Sequence, residues 1–264
     1  MARRGAVARR GHARGEPPAA RPLRGPRLGG RAPRPPSGRG VGRTAARPPR
    51  DVPARGLFFT IEGLDFSGKT TLVRALKDSL AGTGTHFTRE PGGTPVAERI
   101  RDIVLDPEAE MDAWTEAYLY AAARADHARG EVLPRLERGE DVVCERYLDS
   151  SLAYQGFGRG LGLEAVRGLN AYAVGAVIPD KTFYLRLRSG ERERRARELG
   201  AALDRIEVVG ADFMRRVEEG FEELARQEPE RIVVLDASRS PGEMAEKIVG
   251  EMRQLQYTRD QEAT

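Results

Sequence analysis

Gly63-Leu64-Asp65-Phe66-Ser67-Gly68-Lys69-Thr70 fits the pattern G-x-x-x-x-G-K-[ST] in full, and it carries the clearest chemistry in the chain. Glycines at that spacing let successive backbone N–H groups curl around phosphate oxygens, and a helix starting at the loop's end adds the positive end of its dipole. Lys69 is expected to reach the β- and γ-phosphates of a nucleoside triphosphate. The Thr70 hydroxyl is expected to ligate a Mg²⁺ ion that bridges phosphate oxygens, with Thr71 beside it on the donor. Asp65, inside the loop, reads two ways: a solvated carboxylate, or a group that holds a Mg²⁺-bound water or a donor on the acceptor molecule.

A phosphate loop needs a strand before it and a helix after it. The apolar, β-branched run 57–61 supplies the strand, and residues 70–80, with Leu72, Ala75, Leu76 and Leu80 at helical spacing, supply the helix. A second strand is expected just before residue 88. Further short apolar runs at 141–144, 181–187 and 231–235 alternate with helical stretches at 112–138, 162–177, 211–226 and 241–256. Such alternation implies parallel pairing through right-handed crossovers. The expected fold is α/β, a P-loop NTPase-type doubly wound parallel sheet of about five strands flanked by helices.

Residues 1–50 differ in kind. They hold fourteen Arg, nine Pro and nine Gly against the single acid Glu16, a charge near +13; the whole chain carries +4, so the remainder is near −9. A segment so poor in large apolar residues cannot offset its chain entropy. Residues 1–52 therefore read as a disordered leader, and 53–264 as one catalytic domain. The basic pI of 9.4 belongs to the leader and is no sign of a nucleic-acid surface on the folded part. The single cysteine, Cys144, suits a reducing compartment, and no run approaches the ~18 apolar residues of a membrane span. A soluble, cytoplasmic protein is expected.

The loop fixes the donor and leaves the reaction open. A regulatory GTPase needs N-K-x-D and a transport ATPase an L-S-G-G-Q-like segment; neither occurs. An acceptor-phosphorylating kinase remains, and it must cancel charge on two phosphate-bearing substrates. Four segments then resemble the thymidylate kinase family over 57–257: IEGLDFSGKTT (61–71), TREPGGT (88–94), ERYLDSSLAYQGFGRGLG (145–162) and LDRIE (203–207).

The resemblance implies phosphoryl transfer from ATP to thymidine monophosphate (dTMP), with Mg²⁺, in a homodimer. It implies that Arg89 and Arg146 meet the acceptor phosphate, Pro91 following a bond of the kind that can be cis. Tyr120 would stack on the base where the family usually has Phe, and Arg124, four residues on, would donate to a base carbonyl. Ser151 and Tyr154 would lie near base and deoxyribose. Glu145, where most members have Asp, would lie near Mg²⁺ or the acceptor phosphate. The same pair, Glu145-Arg146, also fits a deoxynucleoside kinase, with Glu as base toward a 5′-hydroxyl; TREPGGT and LDRIE speak against that reading, and another monophosphate kinase or a non-enzymatic switch module fits less well.

The run 189–200 is rich in arginine. Such runs are usually solvated helix faces, but in this enzyme class a lid closing over the phosphates is expected there. Inside the loop, Leu64 to Ser67 include no base, so the lid must supply the cation. Arg195 and Arg197 are the first choices and Arg194 the third, with Asp204, Arg205 and Glu207 organising lid and acceptor pocket.

Overall fold

The computed structural model describes residues 55–188, 190–199, 205 and 210–262. The leader assigned to 1–52, and Asp204 and Glu207, lie outside the described residues.

Five strands form one sheet: β1 Phe58–Gly63, β2 His86–Arg89, β3 Val142–Glu145, β4 Lys181–Arg186 and β5 Ile232–Asp236. All pairings are parallel, in the order β2-β3-β1-β4-β5. The central strand β1 is buried at every position. Its period of two sends Phe59 and Ile61 into the larger core cluster and Phe58 into the smaller. Leu72 and Leu76 of helix α1 (Lys69–Ser79), Phe221 of α8 (Ala211–Gln227) and Ile248 of α9 (Pro241–Glu262) complete the larger one.

Register explains where a site must form. Ile61 of β1 and Arg89 of β2 both pair with Glu145 of β3, so the carboxyl ends of these three strands are level. The connection leaving β1 crosses to one side and that leaving β3 to the other. Ligands of open α/β sheets gather at such a reversal.

The remaining helices are α2 Pro95–Leu105, α3 Ala113–His127, α4 Leu133–Glu137, α5 Leu148–Ser151, α6 Leu163–Val174 and α7 Glu191–Leu199. Three features depart from the sequence reading. Helix α2 has no counterpart in it, although Thr94 accepts from the Ala97 N–H and Pro95 opens the first turn, a regular helix start. The expected helix 112–138 begins as foreseen, Asp112 capping the N–H groups of Trp114 and Thr115, but its middle widens into a π-turn at Ala128–Val132. Pro134 follows, and it has no N–H to give the carbonyl four residues back. A second π-turn, Leu152–Gly158, carries Tyr154 and Gln155. Among the described residues no helix is long and apolar enough to cross a membrane.

Candidate active site

The phosphate loop leaves β1 at Gly63, whose φ is 142° and whose missing Cβ would sit 2.8 Å from the Leu185 carbonyl oxygen. Only glycine fits there. Gly68, also at positive φ, starts α1 without a side-chain cap, so the first N–H groups of the helix face the loop. Lys69 is buried, and its Nζ donates to the carbonyls of Gly63 (3.1 Å) and Leu64 (2.7 Å). Burial and the neighbouring Arg146 pull its ammonium down to about 8.

The end of β3 meets this loop. Thr70 Oγ1 donates to Glu145 Oε1 at 2.9 Å. Arg146, at φ 65°, turns its guanidinium back across β1, where Nη1 donates to the Gly63 carbonyl (2.9 Å) and Ser150 Oγ (3.2 Å) and Nη2 to Asp65. The guanidinium lies over the Tyr154 ring at 5.3 Å, and the Tyr154 hydroxyl donates to the other Asp65 oxygen at 3.0 Å. Burial pushes the Asp65 carboxyl up, but Arg146, Lys69 and the Tyr154 hydroxyl outweigh it and hold the group below the usual carboxylate range. Asp65 is thus the shared partner of Arg146 and Tyr154, and the reading of it as a solvated loop carboxylate is set aside.

These groups open into a cleft of about 630 Å³ that runs from Lys69 and Thr70 to Tyr120, Arg124 and Gln155. Tyr120 and Arg124 lie one turn apart on α3, as their i, i+4 spacing requires. Tyr120 is half-buried and lines the cleft. Arg124 is 2% exposed and donates to Glu90 Oε2 (2.8 Å), Ser151 Oγ (2.8 Å), Asn170 Oδ1 (2.5 Å) and the Tyr147 carbonyl (2.8 Å). Ser151 is buried on this hub, not displayed on a helix surface. Pro91, which follows a cis bond, lines the same wall, and Arg101 donates to its carbonyl at 2.9 Å. Arg89 is not brought into this cleft. Its guanidinium is half exposed and held by both oxygens of Glu98 (3.0 and 3.1 Å), beside a smaller hollow along α1. Nor does it pair with Glu90, which is buried against Arg124 and His127.

Of the arginines foreseen in the lid, one reaches the loop. Arg195 Nη1 donates to the carbonyls of Phe66 (3.2 Å) and Ser67 (3.3 Å), and Nη2 to that of Ala237 (2.8 Å). Arg194 is taken up by Glu191 and Glu198 along its own helix, and Arg197 Nε by the Glu193 carbonyl. Arg192, absent from the sequence reading, lies over the Phe66 ring at 5.8 Å. Residues 192 and 195 share a helical face, while 194 and 197 share another. That period was the available signal. Arg205 turns inward, its Nη2 on Glu116 and its Nε on the Val104 carbonyl (2.7 and 3.0 Å).

The family model described as Thymidylate kinase matches residues 61–248. The chain belongs to the thymidylate kinase family. The thymidylate kinase of Pelotomaculum thermopropionicum is 47% identical over 199 residues, covering 74% of this chain and 89% of its own length. That of Deinococcus radiodurans is 46% identical over 197 residues, covering 74% and 95%. A crystal structure of thymidylate kinase from Ehrlichia chaffeensis shares the fold with a TM-score of 0.59 at 28% identity, over 75% of this chain and 99% of that one.

Two carboxylates of this thymidylate kinase site escaped the sequence reading. Glu62 is fully buried at the end of β1, where it accepts from the N–H groups of Tyr147 (2.8 Å) and Ser150 (3.2 Å) and from the Ser150 hydroxyl (2.5 Å). It thereby holds the turn that aims Arg146. Burial, with Asp149 nearby, pushes its carboxyl up to about 7. An acid within an apolar strand was the signal, since a buried charge needs partners. Glu116, the other, gave none.

Proposed function

We propose that this chain transfers the γ-phosphoryl group of ATP to the 5′-phosphate of dTMP, giving thymidine diphosphate for dTTP synthesis. The observation that carries the reading is the position of Arg146. Its guanidinium lies between the phosphate loop and the nucleoside wall, where one cation faces both phosphates. The acceptor phosphate is already an anion and needs no general base, so catalysis is positioning and charge neutralisation.

Gly63, Leu64, Asp65, Phe66, Ser67, Gly68, Lys69, Thr70 and Thr71 hold the donor, with Lys69 on its outer phosphates. Arg146 grips the acceptor phosphate, a task suited to a planar fork. Tyr120 stacks on the base, Arg124 donates to its carbonyl from a fixed hub, and Tyr154 closes the sugar side. Arg195 covers the phosphates from the lid helix. Mg²⁺ takes few protein ligands, preferring water and phosphate oxygens. The hydroxyl–carboxylate pair Thr70–Glu145 at the start of α1 suits it, and Ser67 Oγ, buried without a partner among the described residues, adds an oxygen in the loop. Mg²⁺ bound there neutralises phosphate charge. With Glu145 on Thr70, its part is metal support, and no base toward a 5′-hydroxyl is needed.

ADP release measured with dTMP, dUMP, AMP, GMP, CMP and thymidine as acceptors is expected to be fastest with dTMP. Preference for thymidine would overturn the assignment in favour of a deoxynucleoside kinase. Residues 1–52 are proposed to take no part in turnover, in a cytoplasmic homodimer whose contact is built from the neighbouring helices α2, α3 and α6. These expose Ile103 (49%), Tyr118 (59%) and Tyr172 (87%), more large apolar surface than isolated helices of a monomer need show. Sedimentation is expected to give twice the chain mass with or without residues 1–52, and Tyr118→Arg to give monomers; a monomeric parent chain would refute the dimer.

A further inference from the structure

Glu116 lies in the first turn of α3, 1% exposed, and does not line the cleft. Its carboxylate is saturated. Oε1 accepts from Gln155 Nε2 (2.9 Å) and Arg159 Nε (3.1 Å), and Oε2 from Arg159 Nη2 (2.7 Å) and Arg205 Nη2 (2.7 Å). Four donors fill the sites that an ionised carboxylate offers. Burial works against that charge, and the hydrogen bonds from Arg159, Gln155 and Arg205 more than compensate, holding the carboxyl below its ordinary range.

The partners come from separate parts of the site. Gln155 follows Tyr154 on the second π-turn and lines the cleft. Arg159 ends that turn and lies 4.8 Å over the Phe213 ring of α8. Arg205 belongs to the connection between α7, which carries Arg195, and α8. It also holds the last turn of α2, through the Val104 carbonyl. From Glu116 itself, α3 runs on to Tyr120 and Arg124 at i+4 and i+8, on one face.

We infer that Glu116 is a positioning residue: through Arg205 it registers the chain returning from the lid helix against the wall that holds the nucleoside, so that lid and acceptor pocket keep one alignment. It touches no substrate. Its effect is transmitted through Arg205 on one side and through Gln155 and α3 on the other. Among the described residues Glu116 makes no hydrogen bond to the phosphate loop.

This rests on the dTMP reading, and the unsubstituted chain assayed alongside separates the two. No dTMP turnover there would sink the reading; normal turnover there with unaffected variants would sink the role of Glu116. Glu116→Gln keeps the shape but turns an N–H₂ toward the guanidinium groups. Glu116→Gln and Arg205→Gln are each expected to raise the KM for dTMP about tenfold and to leave the KM for ATP within about twofold. Acting through one contact, they are expected to be non-additive, the double variant resembling the worse single one. Additive losses, or dTMP and ATP KM rising together with a fall in Tm, would show a general structural role and overturn the proposal. If Glu116→Gln fails to fold, Arg205→Gln decides alone. It leaves Arg159 on the carboxylate, and the dTMP against ATP split is read in a folded protein.

Discussion

Replacing Arg195 by alanine is expected to slow turnover roughly a thousandfold while changing the KM for dTMP by no more than a few-fold. An arginine acting on the phosphoryl group in flight stabilises charge that the ground state has not yet spread, so its loss falls on kcat. Arg195 is placed for this by its bonds to the Phe66 and Ser67 carbonyls, on the rim of the loop, and by the anchor on Ala237. Positions 64 to 67 include no lysine or arginine that could substitute. Among the described residues Arg197 bonds the backbone of its own helix, and Arg197→Ala is expected to keep kcat within about twofold. Steady-state kinetics of both variants decide the matter. Equal losses, or a near-normal Arg195→Ala, would show that the lid cation lies elsewhere.

Arg146→Ala is expected to lower kcat/KM for dTMP by about 10²–10³, the range found when one member of a buried, hydrogen-bonded charge pair is removed. The guanidinium does two things. In the proposed reaction it presents a cation to the acceptor phosphate, and it compensates Asp65, which without it keeps Lys69 and the more weakly acting Arg192 as counter-charges. Arg146→Lys retains the charge but cannot hold the Gly63 carbonyl, Ser150 and Asp65 together, and is expected to recover no more than about tenfold. Full activity in the lysine variant would mean that the fork geometry is irrelevant. The left-handed backbone of Arg146 (φ 65°) costs roughly 1 kcal/mol in a non-glycine residue. The two N–H groups and the one hydroxyl gathered by Glu62 in the following turn help to hold it.

What the sequence made legible was local. The phosphate loop is contiguous, and its strand and helix are implied by the same eight residues, so Lys69 and Thr70 stand where expected. The parallel sheet followed from the alternation of apolar runs, with ends displaced by one or two residues. The i, i+4 pair Tyr120 and Arg124 survived because a helix turns them to one side whatever else happens. Arg89 failed to enter the cleft because Glu98 claims it, and Glu98 lies on the helix α2 that the reading lacked. Glu116 was invisible for a related reason. Its partners are 39, 43 and 89 residues away, and nothing in the first turn of a helix marks an acid as buried until those segments fold over it. Among the lid arginines the choice depended on helical phase, which composition does not carry.

Arg124 has a consequence for how the acceptor pocket can change over generations. The side chain proposed to read the base is also a knot tying Glu90, Ser151, Asn170 and the Tyr147 carbonyl into one interior network. A substitution there trades a base contact for several stranded polar groups, each costing about 1–3 kcal/mol. Altered base choice by drift at Arg124 therefore arrives together with an unstable protein. The residue proposed to set base choice is thus also one that the interior cannot spare.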